Sequence, residues 1–337
     1  MTNIERLSNI GFRRLGSPKS GFRYVSPEGG SVSREDLKRI KSLVIPPAWQ
    51  EVAINPAANG RIQAIGKDAR GRWQYLYHEI HVRRREEQKA ARLVKFVQAL
   101  PKMRASVWRD LRTTGLTRER VLASILRILS TCFMRPGSEV YASENGSYGI
   151  ATLRTKHVKV RGDVVEFNFK GKSGVQQSRQ LKDRQVAKII KALLNQPGAE
   201  VFKYTNGNGE LVKVRSQLIN QFIKEVMGES FSAKDFRTWA GTLICACALA
   251  QAGIDNEDSL TARKRKIVAA IKQTSEVLGN TPAVCRSSYI HPSIINGFQE
   301  GKTLDNYFKT LDEFISYRGR TLQRSERALL KFLKTTK

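Results

Sequence analysis

Acidic residues are scarce in this chain: 30 Asp and Glu stand against 59 Lys and Arg, a formal net charge of +29 and a pI near 10.3 over 337 residues. Such a surface repels itself unless it faces a polyanion, and nucleic acid is the polyanion it fits. Long apolar runs are missing too. No stretch of about 18 apolar residues, no secretory signal and no lipidation motif is present, which excludes a membrane span and sets an anionic membrane aside as the partner. A soluble cytoplasmic protein is expected. Histidine and cysteine number only four each. Neither type recurs at zinc-ligand spacing, and Cys245 and Cys247 lie in the apolar run 243–249. The cysteines therefore read as small buried hydrophobes in a reducing compartment, with no metal site. A Walker A loop is also lacking. Gly171-Lys-Ser173 invites one, but the glycine required five residues earlier is Glu166, and a strand pattern follows where the motif needs a helix. There are no internal repeats and no low-complexity tracts.

What is present reads as an α+β chain. Residues 1–80 are dense in turn formers, among them Gly11, Gly16, Pro18, Gly21, Pro27, Gly30, Pro46, Pro47 and Gly60. Between them lie alternating pieces at 51–54, 61–65 and 72–77. Period-two alternation bounded by Gly and Pro predicts a small β-rich domain with one short helix near 33–43 and a hairpin turn over 66–71. From His81 the period changes to that of a helix, over 82–98, beneath a strongly basic face. Arg83, Arg84 and Arg85 mark the expected junction, giving an N-terminal domain over 1–82 and a C-terminal domain over 83–337. Within the latter a helix is expected over 117–134. Three strands follow over 150–181, with turns at 161–163 and 170–174. Further helices are expected over 184–194, 214–226, 237–252 and 259–279, and one more after Leu304. The larger domain is thus mainly helical with an embedded three-stranded meander.

Five residues invite a chemical reading, although each has an ordinary structural one. Arg135 precedes Pro136-Gly137, so its backbone is constrained, and its planar fork suits two phosphate oxygens; it could equally be a surface charge. Lys172 sits at a hairpin tip, where a solvated lysine is commonplace. Arg237 follows Asp235 closely enough for an ion pair at a helix entrance. Asn280 follows Gly279 at a helix end, where both serve as cap residues. Tyr289, in Cys285-Arg-Ser-Ser-Tyr-Ile-His-Pro292, is one of nine tyrosines. A phenol with pKa near 10 is a poor nucleophile until cationic donors surround the phosphodiester it attacks.

Their order, Arg135, the hairpin Lys172, Lys234-Asp-Phe-Arg237, Leu278-Gly-Asn280 and then Tyr289, resembles the active-site series of type IB DNA topoisomerases and tyrosine recombinases. The runs Arg135-Pro-Gly-Ser-Glu-Val-Tyr141, Glu144-Asn-Gly-Ser-Tyr-Gly149, Thr152-Leu-Arg-Thr-Lys-His157 and Ser287-Ser-Tyr-Ile-His-Pro292 are similar to the short bacterial and poxvirus type IB enzymes. So are Ile45-Pro-Pro-Ala-Trp49 and Gly71-Arg-Trp-Gln-Tyr-Leu-Tyr77. The resemblance covers residues 44–300.

It implies that Tyr289 attacks the scissile phosphodiester and is joined to the 3′-phosphate. It implies that Arg135 and Arg237 hold the non-bridging oxygens, and that Lys172, assisted by Arg135, protonates the departing 5′-oxygen. Gln74, Tyr75 and Tyr77 would contact DNA from the N-terminal domain, and Tyr141 from the helix after Arg135. It further implies a monomer closing on double-stranded DNA as a C-shaped clamp, in the bacterial nucleoid, relaxing supercoils of both signs. No carboxylate cluster suited to Mg²⁺ accompanies the five residues, and the phosphotyrosine conserves the bond energy, so no cofactor, metal or ATP is expected. Asn280 stands where relatives outside the bacterial branch usually have histidine; it can donate a hydrogen bond but carries no charge. Ser138, Glu139 and Val140 stand where poxvirus enzymes place basic DNA-reading residues.

Two other classes share parts of this pattern. A site-specific tyrosine recombinase uses the same chemistry but would place a helical domain where residues 1–80 read as β. A non-catalytic DNA-binding protein would need only the charge.

Overall fold

The glycine-punctuated alternation of the first 80 residues becomes a five-stranded antiparallel sheet in the computed structural model, which describes residues 1–255 and 259–335. The elements are α1 (Asn3–Ile10), β1 (Phe12–Ser17), β2 (Gly21–Val25), α2 (Arg34–Ser42), β3 (Gln50–Ile54), β4 (Ile62–Lys67) and β5 (Trp73–Tyr77), in the order β2-β1-β3-β4-β5. Helix α2 forms where expected, with Ser33 accepting from the Asp36 amide as N-cap. Helix α1 was not expected. Its signal is the capping box Thr2-Asn-Ile-Glu5, in which side chains and amides of Thr2 and Glu5 bond reciprocally at 3.2 and 2.7 Å.

With a helix on each face, the central strands are buried on both sides, so β4 has no polar face to show. Ile40, Val52, Ile54 and Ala64 form one small core, and Leu7, Ala53, Ile62 and Ile65 the other. A register shift between Ile62 and Ala64 sends these two residues to opposite cores despite their even spacing.

The chain divides into two units, Met1–Lys89 and Ala90–Lys337, with the boundary inside α3 (Glu79–Asp110). Arg83, Arg84 and Arg85 lie within that helix. The helix extends well beyond the expected 82–98, through Pro101, because Leu100, Met103 and Val107 continue its buried stripe. Of the expected domain 83–337, residues 256–258, 336 and 337 lie outside the described ones.

The second unit continues with α4 (Arg118–Cys132), α5 (Glu139–Asn145) and the meander β6 (Val158–Arg161), β7 (Val164–Lys170) and β8 (Gln176–Lys182). Residues 150–157, expected to open the first of these strands, form two 3-10 turns instead. Next come α6 (Arg184–Leu194), an unexpected hairpin of β9 (Lys203–Thr205) and β10 (Leu211–Lys213), α7 (Ser216–Met227) and α8 (Ala233–Ala252). The chain then forms α9 (Leu260–Leu278), α10 (Pro282–Ser288), α11 (Pro292–Gln299), α12 (Leu311–Ile315) and α13 (Arg324–Thr335). The architecture is therefore a β-rich region followed by a mainly helical unit with an embedded three-stranded antiparallel sheet. The single helix expected after Leu304 is two.

Aromatic side chains from distant segments fill the centre of this unit. Phe133 stacks on Phe314 at 5.8 Å, Phe314 on Phe308 at 5.0 Å, and Trp239 meets Phe314 edge-on at 5.2 Å. Segment α12 thus plugs the core behind α4 and α8. The fully buried Glu326 pairs with Arg104 through two bonds of 2.7 and 2.8 Å, tying α13 to α3. All four cysteines are buried and free. Burial pushes the Cys132 and Cys285 thiols up to about 11 and those of Cys245 and Cys247 to about 12, so they pack as hydrophobes.

Candidate active site

Arg237 is buried at 2% exposure in the second turn of α8. The ion pair expected with Asp235 does not form. Asp235 instead completes the capping box with Ser232 and binds Arg92 through two contacts of 2.6 Å, which leaves Arg237 on the inner side of the helix. There its guanidinium donates to the carbonyl of Leu278 at 3.0 Å and to that of Phe133. The Phe133 carbonyl is presented because this residue ends α4 in the left-handed conformation, φ 52°. Burial first, then the nearby Arg135, hold the Arg237 guanidinium down to about 10.

Tyr289 stands half-buried between two short helices, α10 and α11. Each has proline at its first turn, Pro282 after the cap Thr281 and Pro292 after the cap His291. The Arg237 guanidinium carbon lies 4.7 Å from the Tyr289 ring centre. Burial pushes the phenol's pKa up, but the charges of Arg237, Arg135 and Lys234 outweigh it, and the net shift is downward.

Arg135 lies beyond α4 in a turn fixed from both sides. The Ile150 and Ala151 amides donate to the Arg135 and Pro136 carbonyls at 2.9 and 2.8 Å. Gly137, at φ +85°, is pressed so close to Gly149 that a Cβ on Gly149 would stand 2.5 Å from the Gly137 backbone. The Arg135 guanidinium donates to Asn280 Oδ1. Asn280 follows Gly279, which ends α9 in the left-handed conformation, as its cap role required. Arg135, Arg237, Asn280 and Tyr289 are therefore brought together.

Lys172 is not joined to them. It is exposed at the tip between β7 and β8, without a hydrogen bond or ion pair among the described residues. The tip itself is tightly drawn. Ser173 and Gly174 both have positive φ, and the Gly171 amide bonds the Val175 carbonyl at 2.8 Å.

Among the expected DNA contacts, Tyr75 and Tyr77 share one face of β5, their rings 6.2 Å apart, with Arg85 lying 5.1 Å over Tyr77. Gln74 points to the other face and donates to Asp68 at 2.9 Å. Tyr141 is 62% exposed on α5.

Other residues support the site. One turn beyond Arg237, a Cβ on Gly241 would stand 2.8 Å from the Tyr289 carbonyl, so only glycine lets the tyrosine segment lie against α8. The neighbouring Thr242 is fully buried; its hydroxyl donates to the Tyr289 carbonyl and accepts from the His291 amide, both at 3.1 Å. The sequence signal was a glycine inside a helix, which costs helical stability and so marks a close approach. Thr242→Val, of equal shape, strands both backbone groups and should lower unfolding free energy by about 1–3 kcal/mol. Urea denaturation of the two proteins checks this; equal midpoints and slopes would show that the hydroxyl carries no structural role.

Burial, and then the charge of nearby Arg135, lower the pKa of both Arg237 and the part-buried Arg179 of β8, yet none of the three guanidiniums forms an ion pair with a carboxylate among the described residues. The buried nitrogens Arg237 Nε and Asn280 Nδ2 have no hydrogen-bond partner there. Clustered like charges with unpaired donors favour binding an anion.

Comparison with known proteins places most of the chain beside characterised relatives. Residues 80–313 match the family model described as eukaryotic DNA topoisomerase I, catalytic core, and residues 21–68 match bacterial DNA topoisomerase IB, N-terminal domain. DNA topoisomerase 1B of Acanthamoeba polyphaga mimivirus is 36% identical over 284 residues, covering 81% of this chain and 83% of the relative. DNA topoisomerase 1B of Vaccinia virus (strain Copenhagen) is 25% identical over 276 residues, with 81% and 82% covered. DNA topoisomerase 1 of Mycosarcoma maydis is 23% identical over 249 residues, covering 66% of this chain and 24% of the relative.

Proposed function

The chain belongs to the type IB DNA topoisomerase family, and on that premise we propose that Tyr289 is its nucleophile and duplex DNA its substrate. The phenol Oη attacks the scissile phosphorus as the P–O5′ bond breaks. The tyrosine is left esterified to the 3′-phosphate and its proton goes to solvent. Arg135 and Arg237 hold the non-bridging oxygens, and Asn280 Nδ2 donates to one of them. Lys172 gives a proton to the departing 5′-oxygen, reaching in from the hairpin tip once DNA is bound. The free 5′ end rotates, supercoils of either sign relax, and attack of the 5′-hydroxyl on the phosphotyrosine reverses each step without a new energy source.

What carries this is the cluster of guanidiniums with no carboxylate partner among the described residues, gathered around a phenol of lowered pKa. The charge of +29 supports binding along the phosphate backbone. We further propose that residues 1–82 and 83–337 act as the two arms of a clamp around the duplex. Tyr75, Tyr77 and Gln74 would lie in one arm and Tyr141 in the other, and the enzyme would work as a monomer at the nucleoid. No described helix is long and apolar enough to cross a membrane. The β-rich first unit and its match to a bacterial topoisomerase domain favour this over a recombinase.

The test is supercoiled plasmid incubated in EDTA without ATP. Relaxed topoisomers should appear from positively and negatively supercoiled DNA, at a rate first-order in protein and falling steeply with salt. Absence of relaxation would sink the proposed activity, and a rate second-order in protein would sink the monomer.

A further inference from the structure

Gln177 of β8 is a buried polar residue, 7% exposed, lodged between two glycines. A Cβ on Gly171 would stand 2.8 Å from its Cγ, and a Cβ on Gly279 would stand 2.4 Å from its Oε1 and 2.8 Å from Arg179 Nη2. Each glycine immediately precedes a residue of the site, Lys172 in one case and Asn280 in the other. Arg179, two residues along the strand and so on the same face, donates to Gln177 Oε1 at 2.9 Å.

We propose that Gln177, held by Arg179, is the positioning residue that fixes the Lys172 hairpin tip against the Asn280 turn. Lys172 is itself exposed and without a bond among the described residues, so its place is set by the backbone beneath it, and that backbone rests on Gln177. Asn280 is bonded to Arg135, so the same wedge sets the acid's distance from the phosphate-holding cluster. A buried glutamine that merely filled space would influence stability; a wedge of this kind influences proton delivery in particular.

The inference rests on Lys172 as the general acid, and the experiment separates the two claims. Single-turnover cleavage is measured on a duplex with an ordinary phosphodiester and on one with a 5′-bridging sulfur, whose thiolate departs without a proton. Gln177→Ala should slow cleavage of the ordinary bond by about 10- to 100-fold, the cost of a misplaced group. On the sulfur-bridged bond it should remain within about threefold of the unmodified enzyme, since no acid is needed there. Gly171→Ala supplies a second variant. Its backbone, φ −91°, accepts alanine, so the methyl acts chiefly by pushing on Gln177, and it should show the same sulfur-erased defect. Equal slowing on both substrates, or none on either, would overturn the wedge. Lys172→Ala is the control: if sulfur fails to restore its cleavage, the general-acid assignment falls and the wedge with it. If sulfur restores Lys172→Ala but not Gln177→Ala, the wedge alone falls.

Discussion

Tyr289→Phe should abolish plasmid relaxation and covalent adduct formation, by at least about 10⁴-fold, while duplex binding stays within about twofold. The substitution removes one oxygen. The ring remains beneath Arg237, the backbone bonds of residue 289 to Thr242 and Cys285 are untouched, and no buried carbonyl loses a donor. Folding and DNA affinity are therefore preserved, and only the atom that would form the phosphoester is gone. Trapping with denaturant on a labelled nicked duplex, beside a binding isotherm, gives both readings. Adduct formation by the phenylalanine variant would move the nucleophile to another residue, whereas loss of binding would show that the hydroxyl contributes to recognition.

Arg237→Ala should lower the cleavage rate by about 10²- to 10³-fold, the usual cost of one preorganised donor at a developing charge. The guanidinium does three things at once: it bonds the carbonyls of Phe133 and Leu278, it covers the Tyr289 ring, and it keeps Nε free for an anion. A lysine ammonium is a point charge that cannot span two carbonyls and present a further donor, so Arg237→Lys should also be slowed by at least about tenfold. The pH profile gives an independent arm. Burial pushes the phenol up and Arg237 leads the charges that bring it down. Without Arg237 the phenolate is less favoured, and the rising limb of the rate–pH curve should move to higher pH. Wild-type rates for Arg237→Lys would refute the bidentate role. A limb unmoved in Arg237→Ala would confine the guanidinium to the phosphate.

Local chemistry determined much of this in the sequence alone. The charge imbalance named a polyanion, helical spacing marked α2, α6 and α9 within a residue or two, and glycine pairs located the hairpin tip that carries Lys172. The order of Arg135, Lys172, Arg237, Asn280 and Tyr289 carried the family resemblance, because phosphoryl transfer demands those residue types. Helix α1 is spelled out in the capping box Thr2-Asn-Ile-Glu5, a short signal beside the stronger strand signals that follow it.

Tertiary structure decided the rest. Local spacing pointed Arg237 to Asp235, two residues away; folding turned it instead to the carbonyls of Phe133 and Leu278, 104 and 41 residues distant. The bond from Thr242 to Tyr289 spans 47 residues, and Gln177 meets Gly279 across a still longer stretch of chain. Periodicity reports which face of an element is buried, not what lies opposite it. Residue types and their order set which groups were available to the site; their neighbours, and so their exposure, pKa and direction, exist only once distant segments are packed together.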